Sequence, residues 1–228
     1  DLVVQNARVR AIGEDAGGFR PISEKDLFDC EYWSLEQAKL GKGAPPKFQG
    51  KIVMITGGSG TIGFALAKAF SKLGAQTILV DKDEIALEES VAKLGVGHKY
   101  FPIDVTHSDA ANQAMLAAIN NFGGLDILIS NAGAAHAGPM LGISNEELRN
   151  AFELNFFSHY SFSTEAAKIL KDQNRGGQIL FNISKQAVNP GKNFGAYGLP
   201  KATTFFLMRQ LALELGSDGI RVNGINAD

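Results

Sequence analysis

Cysteine is nearly absent from the 228-residue sequence, in which Cys30 is the only example. A single thiol excludes a disulfide within the chain and any metal site built from several cysteines. The histidines also lack the short, regular spacing of metal ligands; they are His98, His107, His136 and His159. We therefore expect no metal centre.

An excess of one charge and long hydrophobic runs are missing as well. The 22 Lys and Arg residues nearly balance the 24 Asp and Glu residues, which leaves a formal charge of −2 and no basic stripe. This balance argues against nucleic acid or an anionic membrane as a partner. No apolar run approaches the ~18 residues of a membrane helix, and the first residues do not form a signal peptide. The sequence predicts a cytoplasmic protein.

The first fifty residues differ in composition from the remainder, and they predict three short helices. Two serines have the spacing of helix-capping pairs, Ser23 with Asp26 and Ser34 with Gln37. The segment "GKGAPPKFQG" is typical of a linker, because glycine and proline disfavour regular structure. We place the boundary near Lys47, which gives a helical N-terminal extension over 1–46 and a main domain over 47–228.

From residue 50 onward, short apolar segments alternate with longer amphipathic ones. The strand candidates are "KIVMIT", "QTILVD", "KYFPID", "LDILIS", "QILFNIS" and "IRVNGIN". Helices are predicted between them, over 62–73, 83–94, 109–122, 145–171 and 197–215. Continuous apolar strands alternating with helices predict an α/β fold, a doubly wound parallel sheet of the Rossmann type. Such sheets bind ligands at the carboxyl ends of their strands.

A glycine-rich loop, "TGGSGTIG" at residues 56–63, follows the first strand candidate and precedes the first helix of the main domain. In that position, glycines let a backbone approach a pyrophosphate, and the helix N-terminus supplies N–H donors. Such turns also occur for packing reasons alone. The cofactor contacts that we predict here are Gly57, Ser59, Gly60, Thr61, Ile62 and Gly63.

Asp81 ends the second strand candidate, eighteen residues after Gly63. A carboxylate there can accept hydrogen bonds from an adenosine ribose, and its charge would repel the 2′-phosphate of NADP. The alternative is a solvated aspartate within "DKDE". Because the loop contains no arginine to receive that phosphate, we expect NAD rather than NADP.

The segment "YGLPK" places Tyr197 and Lys201 four residues apart at the front of a helical stretch. Pro200 costs least in the first turn of a helix, so we expect the helix to begin near Tyr197. An ordinary tyrosine is protonated at neutral pH, and it can act as a base only where a positive charge stabilises its phenolate. Lys201 and the positive end of the helix dipole would supply that charge.

Taken together, these motifs resemble the classical short-chain dehydrogenases/reductases. The resemblance rests on the glycine loop, "FPIDV", "SNAG", Asn155, and the thirteen residues from Ser184 to Tyr197. It implies that Tyr197 exchanges the substrate proton, that Ser184 binds the reacting oxygen and that Lys201 holds the nicotinamide ribose. By the same resemblance, Asn155 would hold a water that links Lys201 to solvent. Further cofactor contacts are implied at Asp104, Val105, Asn131, Ala132 and Gly133.

Two departures from the classical pattern leave alternatives open. Thr61 stands where the classical loop has a glycine, which gives the T-G-x-x-G-x-x-G form of extended family members such as sugar-nucleotide epimerases. An epimerase or dehydratase that recycles its NAD is therefore an alternative, and a non-catalytic NAD-binding module is another. The sequence ends at "VNGINAD", where the family continues, and we expect a piece of a longer protein.

The substrate is suggested by a second resemblance. "FDCEYWSLEQAKL", "SKQAVNPGKNFGAYGLPKA" and "RVNGINAD" resemble the dehydrogenase half of bifunctional rhamnulose-1-phosphate aldolase/short-chain dehydrogenases. This implies a small alcohol or hydroxyaldehyde as substrate, with lactaldehyde as a candidate, and makes 1–46 the tail of an aldolase region. A generic docking helix is the alternative for "EYWSLEQAKL". Lys185 and Gln186 either line the substrate mouth or are solvated surface residues.

Two helical segments are apolar on nearly every side, "FFLM" at 205–208 and "FELNFFSHYSF" at 152–162. A helix without a polar face is buried on both sides. In the family that the sequence resembles, the corresponding helices pair between subunits. We therefore expect a homodimer or homotetramer.

Overall fold

The computed structural model describes residues 2–18, 23–31 and 45–227, and the chain separates into two compact units, Asp1–Pro45 and Pro46–Asp228. The first unit contains α1 (Leu2–Asp15) and α2 (Glu24–Glu31). Ser23 precedes α2; its hydroxyl accepts a hydrogen bond from the Asp26 amide at 3.1 Å and donates one to the Asp26 carboxylate at 2.7 Å. The predicted pair of Ser34 and Gln37 lies outside the described residues.

The second unit is a parallel sheet with helices between its strands. In chain order the elements are β1 (Ile52–Thr56), α3 (Thr61–Lys72), β2 (Gln76–Asp81), α4 (Glu84–Leu94), β3 (Lys99–Pro102), α5 (Ala110–Phe122), β4 (Ile127–Ser130), α6 (Asn145–Phe152), α7 (Ser158–Gln173), β5 (Gly177–Ser184), α8 (Gly195–Leu215) and β6 (Ile220–Ala227). The strands are ordered β3-β2-β1-β4-β5-β6, and every pairing is parallel. The predicted doubly wound α/β fold is confirmed.

Both faces of the sheet are covered, which explains why its central strands are continuous apolar runs. Every residue of β1 and β4 is buried. Met54 and Leu128 belong to the core on one face, whereas Val53, Ile55 and Ile129 belong to the core on the other. Because side chains alternate between two buried faces, these strands are apolar up to their last residues, Thr56 and Ser130, and the sequence shows no polar alternation.

The order of the strands determines where a ligand can bind. The chain runs outward from β1 through β2 to β3, and then crosses back to place β4 on the other side of β1. The connections that follow β1 and β4 therefore diverge, and they leave a crevice at the carboxyl ends of these strands. Among the described helices, none is long and apolar enough to cross a lipid bilayer.

The predicted single helix over 145–171 is interrupted. It consists of α6, a π-helical turn over Glu153–Phe157, and α7. At the centre of the turn, the Asn155 carbonyl accepts a hydrogen bond from the Thr204 hydroxyl of α8 at 2.7 Å. A π turn releases a carbonyl from the regular α-helical pattern, and such turns are common at functional sites.

The last helix begins at Gly195, two residues before the predicted start at Tyr197. Pro200 is consequently the sixth residue of α8, and the expectation that it lies in the first turn is wrong. The helix gives up the hydrogen bond that residue 200 would donate to the Ala196 carbonyl. Tyr197 remains in the first turn, where its amide bonds the Phe194 carbonyl at 3.1 Å.

Candidate active site

A cleft of about 880 Å³ opens at the carboxyl ends of the strands. Its walls come from the connections after β1, β2, β3 and β4, together with α6, the π turn and the first turns of α8. Most of the predicted site residues line it, namely Gly57, Gly60, Thr61, Ile62, Gly63, Asp81, Asp104, Val105, Asn131, Ala132, Gly133, Tyr197 and Lys201. Ser59, Asn155 and Ser184 are not among its lining residues.

The glycine loop is shaped by close backbone contacts. Gly57 has a φ of +64°, a conformation that side chains other than glycine rarely adopt. A Cβ on Gly63 would overlap the Gly57 carbonyl oxygen, whereas a Cβ on Gly60 would be 3.4 Å from the same oxygen. The loop therefore requires glycine at 57 and 63, and it tolerates Thr61 as the first residue of α3.

The N-terminus of α3 points into the cleft without a side-chain cap. Its N-cap residue is Gly60, and within the part of the chain that the structure describes no side chain caps the free N–H groups of the first turn. Uncapped helical N–H groups together with the helix dipole form a site for an anion such as a phosphate. Ile62, with 53% of its surface exposed, stands beside this site in the cleft wall.

Asp81 is held at the end of β2 by two backbone amides. Its carboxylate accepts hydrogen bonds from the Ser59 amide at 3.3 Å and from the Lys82 amide at 2.8 Å. Ser59 thus acts through its backbone and positions the carboxylate at the cleft. Lys82 also lines the cleft, which the sequence analysis did not anticipate.

Asp104 and Val105 form the neighbouring wall, beyond β3. Hydrogen bonds from the Thr106 amide and hydroxyl, at 3.0 and 2.7 Å, lower the pKa of the Asp104 carboxyl below its usual value. The carboxylate is therefore ionised at neutral pH and fixed within its own loop. Val105 is buried and gives the wall an apolar surface.

The "SNAG" segment is tied to the glycine loop. The Thr56 hydroxyl accepts hydrogen bonds from the amides of Asn131 and Ala132, at 2.9 and 3.0 Å. The Asn131 side chain donates to the Thr56 carbonyl at 3.0 Å and accepts from the Asn182 side chain of β5 at 2.9 Å. These contacts join the ends of β1, β4 and β5 into one rigid floor.

Lys201 lies at the bottom of the cleft and is 98% buried, with 2% of its surface exposed. Its ammonium donates a hydrogen bond to the Asn182 carbonyl at 2.9 Å and lies 3.2 Å from His159 Nε2. Burial lowers the Lys201 pKa from 10.5 to about 8. The ammonium is 5.8 Å from the centre of the Tyr197 ring, one helical turn away.

Asn155 is fully buried behind Gly133 and Ala134. Its side-chain amide accepts a hydrogen bond from the Ala134 amide at 3.2 Å and donates to the Ala134 carbonyl at 3.0 Å. A Cβ on Gly133 would be 2.8 Å from Asn155 Oδ1 and 3.4 Å from Lys201 Nζ. The absence of a side chain at Gly133 thus keeps space between the cleft and these two groups.

Ser184 ends β5, and its hydroxyl accepts a hydrogen bond from the Gln186 amide at 3.3 Å. The short turn that follows packs against the first turns of α8. A Cβ on Gly198 would lie 3.0 Å from the Gln186 carbonyl oxygen, so glycine permits this approach. The turn that carries Ser184 is therefore adjacent to the helix that carries Tyr197.

Comparison with known proteins agrees with this geometry. The model of the short chain dehydrogenase family matches residues 51–227 of the sequence. The chain belongs to this family. Residues 1–40 match the second domain of class II aldolases.

The relatives of this chain include an uncharacterized oxidoreductase of Bacillus subtilis (strain 168), YuxG. It is 35% identical over an alignment of 219 residues, which covers 93% of this chain and 32% of that protein. The chain thus spans less than half the length of this curated relative.

Solved structures share the fold. The 3-ketoacyl-(acyl-carrier-protein) reductase from Brucella melitensis, complexed with NADH, superposes with a TM-score of 0.77 at 28% identity, over 79% of this chain and 76% of that chain. NAD⁺-bound xylitol dehydrogenase superposes with a TM-score of 0.76 at 29% identity, over 79% and 70% of the two chains.

Lys185 and Gln186 do not line the cleft. The Gln186 side chain accepts a hydrogen bond from the Gly191 amide at 2.6 Å. Gln186 therefore shapes the loop between β5 and α8, and the two alternatives for Lys185 and Gln186, the substrate mouth or a solvated surface, both stay open.

His159 was missed by the sequence analysis as a neighbour of the site. It lies on α7, fully buried, between Ser130 Oγ at 2.6 Å and Lys201 Nζ at 3.2 Å. One signal was available in the sequence, because His159 follows Asn155 by four residues and so shares its side of a helix. Within the aromatic segment "FELNFFSHYSF", that signal was hidden by the apolar pattern.

Proposed function

We propose that this dehydrogenase transfers a hydride between NAD and a small alcohol or hydroxyaldehyde, with lactaldehyde as the first candidate substrate. The observation that carries the proposal is the placement of Tyr197 and Lys201, one helical turn apart, in the wall of the cleft that the glycine loop opens. A proton donor and a buried cation beside a dinucleotide loop suit the interconversion of an alcohol and a carbonyl.

The residues of the cleft fit a dinucleotide. The uncapped N-terminus of α3 suits the pyrophosphate, and Gly57 and Gly63 let it approach the backbone. The Asp81 carboxylate, oriented by two amides, suits the adenosine ribose hydroxyls and repels a 2′-phosphate, which favours NAD over NADP. The adjacent wall, for the adenine, comes from Asp104 and Val105. The ribose channel is assigned to Asn131, Ala132 and Gly133.

When bound, NAD supplies or accepts the hydride. In the proposed mechanism, the Tyr197 hydroxyl gives a proton to, or takes one from, the substrate oxygen. The Lys201 ammonium stabilises the phenolate by its charge, and its N–H group toward the cleft holds the nicotinamide ribose. Ser184 binds the same substrate oxygen and orients it, and Asn155 holds a water between Lys201 and solvent.

Lactaldehyde is proposed because of what adjoins the dehydrogenase in sequence. Residues 1–40 match a class II aldolase domain, and an aldolase that splits a deoxyketose phosphate releases lactaldehyde. A dehydrogenase on the same chain would then consume that aldehyde. On this proposal, residues 1–46 are the end of the aldolase region and its connector, and 47–228 belong to the dehydrogenase.

We propose a homodimer or homotetramer as the assembly. Large apolar side chains are exposed on the two helices that the sequence singled out: Phe206 and Leu213 on α8 are 65% and 81% exposed, and Phe157 and Tyr160 are 45% and 46% exposed. A second copy of the chain would cover them. Light scattering at micromolar concentration tests this, and a monomer would contradict it.

The test is the absorbance of NADH in a reaction with NAD and lactaldehyde, run beside Tyr197→Phe and Tyr160→Phe variants. We expect NADH from the wild type and from Tyr160→Phe, and none above background from Tyr197→Phe. Binding of NAD without net NADH formation would instead favour an enzyme that recycles NAD, or a different substrate. Full activity in Tyr197→Phe would contradict the mechanism.

A further inference from the structure

Beneath Lys201 lies a buried polar pair that the proposed mechanism does not use. His159 on α7 and Ser130 at the end of β4 are 0% and 1% exposed. Ser130 Oγ is 2.6 Å from His159 Nδ1, and His159 Nε2 is 3.2 Å from Lys201 Nζ. The three side chains form a continuous line from the sheet to the ammonium.

The hydrogen-bonding capacity of the three groups fixes the direction of the line. A lysine ammonium has only donors, so His159 Nε2 must be the acceptor. The proton of the neutral ring is then on Nδ1, which donates to Ser130 Oγ. Burial and the nearby ammonium lower the His159 pKa well below its usual value and outweigh a hydrogen bond with the Ala132 backbone that raises it, in agreement with a neutral ring.

The remaining contacts of Lys201 show what His159 adds. The ammonium has three N–H groups, and one of them bonds the Asn182 carbonyl at 2.9 Å. If His159 Nε2 takes the second, the third faces the space that Gly133 leaves open beside the cleft. Two acceptors on two different elements, β5 and α7, define the position of an otherwise flexible side chain.

We infer that His159 is a positioning residue, whose neutral imidazole accepts a hydrogen bond from Lys201 and thereby directs the remaining N–H of the ammonium into the cofactor cleft. The expected effect on catalysis rests on the proposed function. The contact between His159 and Lys201 rests on the geometry alone. His159 touches neither cofactor nor substrate in this role. Ser130 holds the ring in the required tautomer.

The contact is tested first, on the protein without cofactor, by NMR of ¹⁵N-labelled histidine. The chain has four histidines, and a His159→Gln variant identifies the signal in question. At neutral pH we expect a His159 ring that is protonated on Nδ1 and free of a proton on Nε2. Its Nε2 signal should move in Lys201→Met, and it should not move in Lys185→Met. A ring protonated on Nε2 would overturn the inference.

The effect on the cofactor site is tested with three variants of His159. Gln can place an amide oxygen where Nε2 lies, whereas Asn reaches only the Nδ1 position and Phe offers no acceptor. We expect NADH binding and kcat to fall about tenfold in His159→Phe and His159→Asn, with little change in KM for lactaldehyde, and to recover in His159→Gln. Equal losses in all three variants, or no loss in His159→Phe, would overturn the inference.

His98→Phe is the matched control for the loss of a partly buried imidazole. His98 bonds the Ser71 hydroxyl at 3.0 Å and the Thr77 amide at 3.1 Å, and it does not line the cleft. The His98→Phe substitution should lower thermal stability and leave kcat unchanged. If the wild type binds NADH but produces none from lactaldehyde, the proposed function fails. The NMR measurement of the His159 tautomer and the NADH binding of the three His159 variants still test the role of His159.

Discussion

Lys201 and Tyr197 lie on the same face of α8, with the ammonium 5.8 Å from the centre of the phenol ring. In the proposed mechanism, Tyr197 exchanges the proton and Lys201 supports it. Tyr197→Phe removes only the hydroxyl, so we expect kcat to fall about 10²- to 10⁴-fold and the NAD dissociation constant to stay within about twofold. Stopped-flow measurement of NADH formation checks the expected kcat, and a fluorescence titration checks the NAD dissociation constant. A parallel loss of NAD binding would show that the hydroxyl is also needed to bind the cofactor, and would contradict this prediction.

Lys201 is buried at a cost to stability, which gives a test by pH. Its pKa is lowered from 10.5 to about 8, so between these values the unfolded chain binds a proton that the folded chain has lost. Stability therefore rises with pH across that interval, by about 3 kcal/mol in total. Lys201→Met lacks this dependence, and urea unfolding of both proteins from pH 7 to 10.5 should show wild type gaining on the variant. Parallel curves would contradict burial of the ammonium.

Asp81 is expected to determine the choice between NAD and NADP. Asp81→Asn keeps an acceptor for the Ser59 amide and removes the charge that repels a 2′-phosphate, while Lys82 remains in the cleft wall. We expect the ratio of NADP to NAD affinity to rise about tenfold or more. Asp83→Asn is the control, because Asp83 caps α4 through the Ala86 amide and Asn caps equally well. An unchanged ratio in Asp81→Asn would remove Asp81 from the ribose site.

Alanine substitution should affect NAD binding differently at Gly60 and at Gly63. The added methyl at Gly63 would overlap the Gly57 carbonyl oxygen, whereas at Gly60 it meets that oxygen at 3.4 Å. Gly63→Ala should weaken NAD binding by at least about tenfold, because the loop must move away from the phosphate position. Gly60→Ala should bind within about threefold of wild type. Calorimetric titration of both variants measures the contrast, and similar losses would contradict it.

The π turn depends on a hydrogen bond between helices. Thr204 is fully buried, and its hydroxyl donates to the Asn155 carbonyl at 2.7 Å. Thr204→Val leaves that carbonyl without its partner, so we expect a loss of about 1–3 kcal/mol in the free energy of unfolding. The neighbouring Thr203→Val removes only a bond to the Leu199 carbonyl of its own helix and should cost less than about 0.5 kcal/mol. Urea denaturation of both variants measures the two losses in the free energy of unfolding. Equal losses would contradict the importance of the interhelical hydrogen bond.

The sequence by itself determined the elements that depend on neighbouring residues. Strand β2 has the predicted bounds of "QTILVD", because its apolar run and flanking breaks are local. The glycine loop and "YGLPK" could also be recognised in the sequence, because the spacing of their residues lies within one turn or one helix. For the same reason the family could be identified before any contact between distant residues was known.

Tertiary structure decided what depends on residues far apart in the chain. The π turn at Asn155 needs Thr204, 49 residues away, and the environment of Lys201 needs His159, 42 residues away. The helix α8 begins at Gly195, which puts Pro200 in its second turn, and its first turns lie beside the turn after Ser184, where a Cβ on Gly198 would be 3.0 Å from the Gln186 carbonyl oxygen. No periodicity records such contacts, because each partner satisfies its local pattern equally well without the other. The physical cause is burial: a buried polar group needs a hydrogen-bond partner, and only the fold determines which distant residue lies close enough to be that partner.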